Sequence, residues 1–370
     1  MAILFMTGFE WGQASLDGVT LSGTASISTV QARTGARALR CNPASGATGF
    51  ASNIFTQASN TNRHFAFYIA TLPSVQRIIA GATGANATLR LESSGAISGY
   101  DNTPSLLFTG PVLSTGRWYS INWSGSGRLS IDGTVIFAQV GWANFGLSLG
   151  CVGTEASAID IYFDDVLEGG TLGSVSYNEV KVALLRPISD NSNTNWTAGA
   201  GATTSLFDGV DNVPPAGLAS ASETNTSNIE SASSTGTANY VANLTSYTTA
   251  GVGPNDQVLA VGLGIRHGED IATGTKTGTF ELTANPVIGT TAITFGGDAG
   301  AHGGEAGNWA SAFSAITSDP AVTVGTSPTM RVTKTDTTTR VACVDAMGAY
   351  VAWMPRLIAY RNPMPPLIAQ

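Results

Sequence analysis

Hydrophobic and polar residues alternate in short runs along most of the chain, and clusters of Gly, Ser, Asn and Asp separate the runs. A two-residue period is typical of strands, and regular turn signals between strands favour a sandwich or jelly roll. In the first half the runs occupy 36–41, 64–70, 87–92, 118–123, 128–131, 145–151 and 159–166. In the second half they occupy 180–185, 240–244, 257–265, 279–283, 292–295, 329–334 and 340–344. The pattern predicts an all-β protein of two jelly-roll or β-sandwich domains in tandem, with at most one or two short helices.

Segment 118–123 shows the alternation clearly. Three large residues share one face of the predicted strand: Tyr119, Ile121 and Trp123. The opposite face carries Trp118, Ser120 and Asn122. Asp132-Gly133, between two further runs, predicts a tight β-hairpin.

One segment has a helical period instead. In 305–318, Trp309, Phe313 and Ile316 follow one another at four- and three-residue intervals, and Asp319-Pro320 would end the element. We expect one short helix there. Segment 167–176 is rich in Gly and Ser and predicts a linker. The expected domains are therefore 1–172 and 173–370.

The composition favours a protein that assembles with others. Only 11% of the 370 residues are charged, against ~25% in an average soluble protein, and 44 are glycine. A weakly charged surface suits a protein packed among neighbours. The net charge of −8 argues against nucleic-acid binding, and no apolar run is long enough for membrane insertion. The N-terminus lacks a basic region before its apolar residues, so we expect synthesis in a cytoplasm rather than secretion.

Three cysteines, Cys41, Cys151 and Cys343, give an odd number without metal-site spacing. We expect buried free thiols.

The first domain carries three segments in a familiar order: Gly8-Phe9-Glu10, then 35–40 (GARALR) and 161–166 (IYFDDV). With them, residues 1–170 resemble the concanavalin A-like, laminin-G-like jelly rolls of phage proteins and carbohydrate-binding modules. The resemblance implies a structural Ca²⁺ held by the early Glu and the late Asp, here Glu10 with Asp164 or Asp165, whose oxygens suit that ion. The alternative is a solvated strand end without an ion. No other cofactor is expected.

The second domain carries 182–187 (VALLRP), 195–197 (NWT), 207–215 (FDGVDNVPP), Asp319-Pro320 and 330–333 (MRVT). With these, 175–360 resembles a β-sandwich module of tailed-phage virion proteins. The resemblance implies a virion component, made in the host cytoplasm, whose partners are other virion proteins and copies of itself.

Catalytic chemistry has little support. Asp160 and Asp164 share a strand face, and a sugar hydrolase on this fold would need two nearby carboxyls, but the Asp164-Asp165 doublet favours a non-enzymatic pattern. The loops around His267 (with Glu269 and Asp270) and His302 (with Glu305) are Gly-rich. We interpret them as polar loops at the protein surface rather than metal sites. We expect no enzyme activity.

Seven tryptophans could supply a sugar-stacking platform, although most such residues serve as core or interface anchors. Trp142, beside Gly141 in a loop-like segment, is the best candidate for exposure. The main hypothesis is a structural component of a tailed phage, in a minor tail, head-decoration or fibre role. The alternative is a carbohydrate-binding adhesin that attaches the particle to host-surface glycans.

Overall fold

The fold is all-β. The computed structural model describes the following residues: 3–12, 14, 17–55, 61–81, 87–101, 103–124, 127–138, 148–169, 179–199, 205–210, 229–231, 237–269, 276–295, 310–335 and 342–356. No helix in these segments is long and apolar enough to cross a membrane.

The first half forms a sandwich of two antiparallel sheets. Its strands are β1 (Ile3–Thr7), β2 (Thr20–Gly23), β3 (Ser26–Ser28), β4 (Ala38–Cys41), β5 (Gly49–Ser52), β6 (Asn62–Thr71), β7 (Arg77–Ala80), β8 (Thr88–Leu91), β9 (Ala96–Tyr100), β10 (Leu106–Val112), β11 (Trp118–Ser124), β12 (Arg128–Ile131), β13 (Thr134–Ala138), β14 (Leu149–Cys151) and β15 (Asp160–Gly169). One sheet has the order β13-β12-β11-β6-β15-β4-β3, with β1 added to β15. The other has the order β10-β9-β8-β7-β14-β5-β2.

The second half forms another sandwich. Its strands are β16 (Lys181–Leu185), β17 (Pro187–Thr194), β18 (Trp196–Ala198), β19 (Ile229–Ser231), β20 (Ala238–Leu244), β21 (Gln257–Glu269), β22 (Lys276–Ala284), β23 (Ile288–Phe295), β24 (Ala310–Phe313), β25 (Thr317–Ser318), β26 (Thr329–Lys334) and β27 (Ala342–Met354). A 3₁₀ turn covers Phe207–Gly209. One sheet has the order β18-β19-β27-β21-β24, with β16 on β27 and β25 on β21, and the other has the order β17-β20-β26-β22-β23.

Each sandwich has its own apolar core, built from alternate residues of its strands. In the first, Phe65, Phe67 and Phe163 pack between the sheets, and in the second Tyr240, Phe280 and Val332 do so. The predicted all-β tandem is confirmed by this arrangement. All three cysteines are buried and free, as predicted.

The Asp132-Gly133 hairpin is also confirmed, because β12 pairs with β13 and both turn residues have positive φ, at 47° and 77°. The boundary predicted at residue 172 lies in 170–178, outside the described residues.

The predicted helix at 305–318 is wrong in its described part. Residues 310–313 and 317–318 are the strands β24 and β25, and both pair with β21. Strand pairing is favoured over the helix because it gives hydrogen-bond partners to the backbone N–H and C=O groups along that side of β21. Trp309 lies outside the described residues.

A third apolar cluster joins the two sandwiches. It combines Met6, Trp11 and Leu167 of the first half with Val182 and Leu259 of the second. The domains therefore share a buried junction.

Candidate functional site

A row of aromatic side chains crosses the outer face of the first sandwich's eight-stranded sheet. Trp118 of β11 is in register with Tyr68 of β6, Tyr68 with Tyr162 of β15, and Tyr162 with Arg40 of β4. We call these four residues the aromatic row. Adjacent strands lie ~4.8 Å apart, so the row extends over roughly 15 Å.

Strand alternation places this row outside the core. The neighbouring residues Leu39, Phe67, Tyr119 and Phe163 point into the first core, so the residues between them point away from it. Within the row, the ring centroids of Tyr68 and Trp118 are 5.4 Å apart, and those of Tyr68 and Tyr162 are 5.9 Å apart with nearly perpendicular planes. Tyr68 and Trp118 are partly exposed and Tyr162 is buried between its neighbours.

A fixed polar group ends the row. The Arg40 guanidinium donates to both oxygens of Asp160, at 3.0 and 2.9 Å, and lies 5.6 Å from the centre of the Tyr162 ring. A bidentate pair of this kind fixes the orientation of its planar donor. The row therefore combines apolar ring surface with a charged, oriented hydrogen-bonding group.

The sequence pattern placed Trp118 on the correct strand face but did not select this row. Tyr68, Tyr162 and Arg40 were missed as site residues, and the only early signal was the outward position of Trp118 in 118–123. The predicted carbohydrate contact, Trp142, lies outside the described residues.

The predicted Ca²⁺ residues all accept hydrogen bonds from loop 33–37, which precedes β4. Both oxygens of Glu10 accept from the Ala36 backbone N–H at 3.0 Å, and Oε1 also accepts from the Arg37 N–H at 3.0 Å. Gly35 makes this approach feasible, because it has φ +70° and a Cβ there would lie 2.3 Å from the Glu10 carboxyl carbon.

The two aspartates bind the same loop. Asp164 Oδ2 accepts from the N–H groups of Arg33 and Thr34, at 2.8 and 3.1 Å. Asp165 Oδ2 accepts from Arg33 Nη1 at 3.2 Å and from Thr34 Oγ1 at 3.1 Å. A β-bulge between Asp164 and Leu167, with Asp165 at a φ of 50°, brings both carboxylates to one loop, whereas a regular strand would point them to opposite faces.

These residues do not fit a calcium ion. The carboxylate oxygens face N–H and O–H donors, whose positive ends would repel a cation, and the described residues contain no group of three or more His, Cys, Asp or Glu placed to hold a metal. The resemblance could not reveal this, because the donors are mostly backbone N–H groups, which every residue except proline has.

Burial dominates the electrostatics of these acids. It raises the pKa of Glu10 to about 7 and that of Asp165 to about 6. It also raises the pKa of Asp164 well above its usual range, with the charge of Asp165 adding to the effect. Hydrogen bonds from loop 33–37 oppose each of these shifts.

The same acids connect the two sandwiches. Asp165 Oδ1 accepts from the Val182 N–H at 2.7 Å, Arg33 donates to the Val180 carbonyl at 3.0 Å, and Arg186 donates to the Glu10 carbonyl at 3.2 Å. The arrangement is a buried polar junction between β15 and the start of the second domain.

Tyr350 of β27 closes the junction from the second sandwich. Its hydroxyl donates to Asp17 Oδ1 and accepts from the Glu10 N–H at 2.8 Å. Burial, followed by the charge of Asp17, holds the pKa of Tyr350 well above its usual range. Sequence reasoning did not single out Asp17 or Tyr350, because 333 residues separate the two partners.

The two carboxyl groups considered for hydrolysis, those of Asp160 and Asp164, do not form a catalytic pair. Asp160 pairs with Arg40 while Asp164 binds loop 33–37, and four residues along a strand span ~13 Å, more than the ~5–5.5 Å that a retaining hydrolase uses.

His267 is not in a loop, contrary to expectation. It lies buried within β21, where its ring packs edge-on against Phe295 and burial lowers its pKa to about 4. The Glu269 side chain, Asp270, His302 and Glu305 lie outside the described residues.

Comparisons with known proteins give only distant likenesses. No protein-family model matches the chain, and no curated protein matches it either. Domain 4 of the extracellular arabinanase AbnA of Geobacillus stearothermophilus, solved with arabinotriose, is 13% identical with a TM-score of 0.35, over 46% of this chain and 94% of that one. The tandem CBM22 domains of Paenibacillus barcinonensis Xyn10C are 14% identical with a TM-score of 0.26, over 94% and 97%. Trypanosoma rangeli sialidase is 10% identical with a TM-score of 0.31, over 40% of this chain and 27% of the sialidase. Likeness at these scores assigns no function to this chain.

Proposed function

We propose that the chain binds carbohydrate through the aromatic row, and that it acts by binding rather than by catalysis. The observation that carries the proposal is the register of Trp118, Tyr68 and Tyr162 on a partly exposed sheet face. Aromatic rings offer flat apolar surface at little conformational cost, which suits the apolar C–H face of a sugar ring.

The polar end of the row complements this surface. Sugars carry hydroxyl groups around their apolar faces, and the Arg40–Asp160 pair presents donors and acceptors with 32% and 22% of their side chains exposed. Because these two groups hold each other, a bound hydroxyl would meet an already ordered partner.

The test is binding to a glycan array and then titration of the best glycan. Trp118→Ala is expected to weaken binding at least tenfold, about 1.4 kcal/mol, as expected for an aromatic anchor. The matched control is Tyr100→Ala, a partly exposed aromatic on the other sheet of the same sandwich, which is expected to leave affinity unchanged. An array without binding, or a Trp118→Ala chain that binds normally, would contradict the proposal.

A second candidate is assembly as a structural component of a tailed-phage particle, supported by the sequence resemblance and by two strands. β13 and β10 are the terminal strands of the first sandwich's sheets. β10 carries Leu106 at 55% and Val112 at 67% exposure, and Val135 of β13 is also exposed. Terminal strands with exposed apolar side chains are a common route to association between chains.

Sedimentation over a range of concentrations tests this candidate. Self-association that weakens in the Leu106→Asp/Val112→Asp double variant is expected, as is detection of the chain in purified particles by mass spectrometry. A chain that remains monomeric throughout and is absent from particles would exclude the structural role.

A further inference from the structure

A cavity of about 310 Å³ lies at the domain junction. Its walls come from β1 of the first sandwich, from Asp17, and from β21, segment 313–316 and Tyr350 of the second. Ligand sites are common at domain interfaces, and this volume is at the small end of the ~300–1,000 Å³ that they usually have. We call it the junction cavity.

The walls of the junction cavity are mostly apolar. Leu4, Met6, Leu263 and Ile316 line it, and exposed Phe313 stands at its edge. An apolar lining with few polar groups is typical of sites for small organic molecules.

Among the described residues of this lining Asp17 is the only charged one, and it is 3% exposed. Its Oδ1 accepts from Thr7 Oγ1 at 2.9 Å and from the Tyr350 hydroxyl. Its Oδ2 is buried and accepts no well-formed hydrogen bond from the described residues, although the Trp11 backbone N–H also acts on the carboxylate. A buried acceptor without a donor costs free energy, so a ligand that supplied the donor would be stabilised.

We propose that the junction cavity binds a small apolar amine, with its ammonium group donating to the Asp17 carboxylate and its hydrocarbon body against Leu4, Met6 and Ile316. The charge around the carboxylate favours a cation, because the lining residues that the structure describes include no base and Glu10 adds a second negative charge nearby. The positive charges of Arg37 and Arg186 lower the pKa of Glu10, and neither is among the main influences on the pKa of Asp17.

The protonation behaviour of Asp17 agrees with this assignment. Burial raises its pKa to about 7, against the hydrogen bonds from Tyr350 and Thr7. An ammonium ligand would favour the ionised carboxylate, whereas a carboxylate ligand would add a like charge in a site of low polarity. A neutral alcohol would supply a donor but no charge.

Calorimetric titration of the full chain at pH 8 with benzylamine, benzyl alcohol and benzoate separates these cases. Benzylamine is expected to bind at least tenfold more tightly than benzyl alcohol, and benzoate most weakly. Asp17→Asn is expected to remove the preference for the amine. The control Asp101→Asn changes an exposed turn carboxylate in the first sandwich and is expected to keep the preference.

A second variant keeps Asp17 and its contacts intact. Ala315 is exposed and lines the cavity, so Ala315→Phe would narrow the opening and is expected to weaken benzylamine binding at least tenfold. Ala198→Phe, at an exposed position of β18, is the matched control. Equal affinities for amine and alcohol, an unaltered preference in Asp17→Asn, normal binding by Ala315→Phe, or no benzylamine binding at all would each overturn the assignment.

Discussion

The two sandwiches present different outer faces on the same framework. Across five adjacent strands of the first, the registered residues are Ser26, Arg40, Tyr162, Tyr68 and Trp118. Across the five strands β17-β20-β26-β22-β23 of the second, they are Thr194, Asn239, Thr333, Thr279 and Ala292. Both halves are antiparallel sandwiches, and these side chains give their outer faces different chemistry.

In the second row, polar side chains hydrogen-bond to each other, and the row offers little apolar surface. Thr333 Oγ1 donates to Asn239 Oδ1 at 2.8 Å, and short hydroxyl side chains on a strand suit contact with water. The first row leaves Tyr68 and Trp118 partly exposed instead. Of the two outer faces, glycan binding is therefore expected on that of the first sandwich alone.

The largest predicted difference between the sandwiches is their response to pH. Glu10 and Asp17 of the first have pKa values raised to about 7 by burial. A raised carboxyl pKa gives stability that is present below the unfolded-state pKa of about 4 and is lost as pH rises through the folded-state value. In unfolding by denaturant, these two groups should therefore make the chain less stable at pH 8 than at pH 5 by on the order of 5 kcal/mol, an effect that the buried His64 and His267, whose pKa values burial lowers, oppose in part.

The Glu10→Gln/Asp17→Asn chain isolates this effect, because it cannot release the two protons. Its stability should change less between pH 5 and pH 8 than that of the parent chain. An equal change in both chains would place the pH response elsewhere.

The next largest effect concerns the connection between the sandwiches. Asp165→Ala removes the carboxylate that accepts from the Arg33 guanidinium, the Val182 N–H and the Thr34 hydroxyl, and leaves Arg33 with the Val180 carbonyl. Breaking a buried ion pair from one side costs about 4 kcal/mol. Calorimetry should show a Tm lower by roughly 10 °C. Asp101→Ala, at an exposed turn, should cost no more than ~1 kcal/mol, and a similar loss in both variants would contradict a special role for Asp165.

The double variants Tyr68→Ala/Trp118→Ala and Thr279→Ala/Thr333→Ala test the two outer faces directly. The first should weaken glycan binding about 100-fold, near 2.8 kcal/mol, because it removes both partly exposed rings. The second should leave affinity within about twofold. Titration of the same glycan into both proteins measures this, and a larger loss on the threonine face would reverse the assignment of the binding face.

The smallest effect is expected at the polar end of the aromatic row. Arg40→Lys keeps the charge but replaces the planar, two-point donor to Asp160 with a single ammonium. Glycan binding should weaken about fivefold, near 1 kcal/mol, while stability stays nearly constant because exposed ion pairs contribute only ~0–1 kcal/mol. Unchanged affinity would remove Arg40 from the proposed site.

Local patterns predicted the all-β framework but not every element of this chain. Alternation in 118–123 predicted both the strand and its two faces, and Asp132-Gly133 predicted its hairpin, because strand period and turn chemistry depend on neighbouring residues. The helical spacing in 305–318 misled for the opposite reason: pairing with the distant strand β21 outweighed a local period.

The pattern of residues along the chain predicted the all-β framework and the outward position of Trp118. Only the tertiary structure decided that Tyr68 and Tyr162 stand beside it, and that Asp17 meets Tyr350 across the junction. It also decided that Glu10, Asp164 and Asp165 accept hydrogen bonds from loop 33–37 instead of surrounding a cation. The physical reason is common to all three: strand period is a property of adjacent residues, whereas register and burial join residues far apart in the chain.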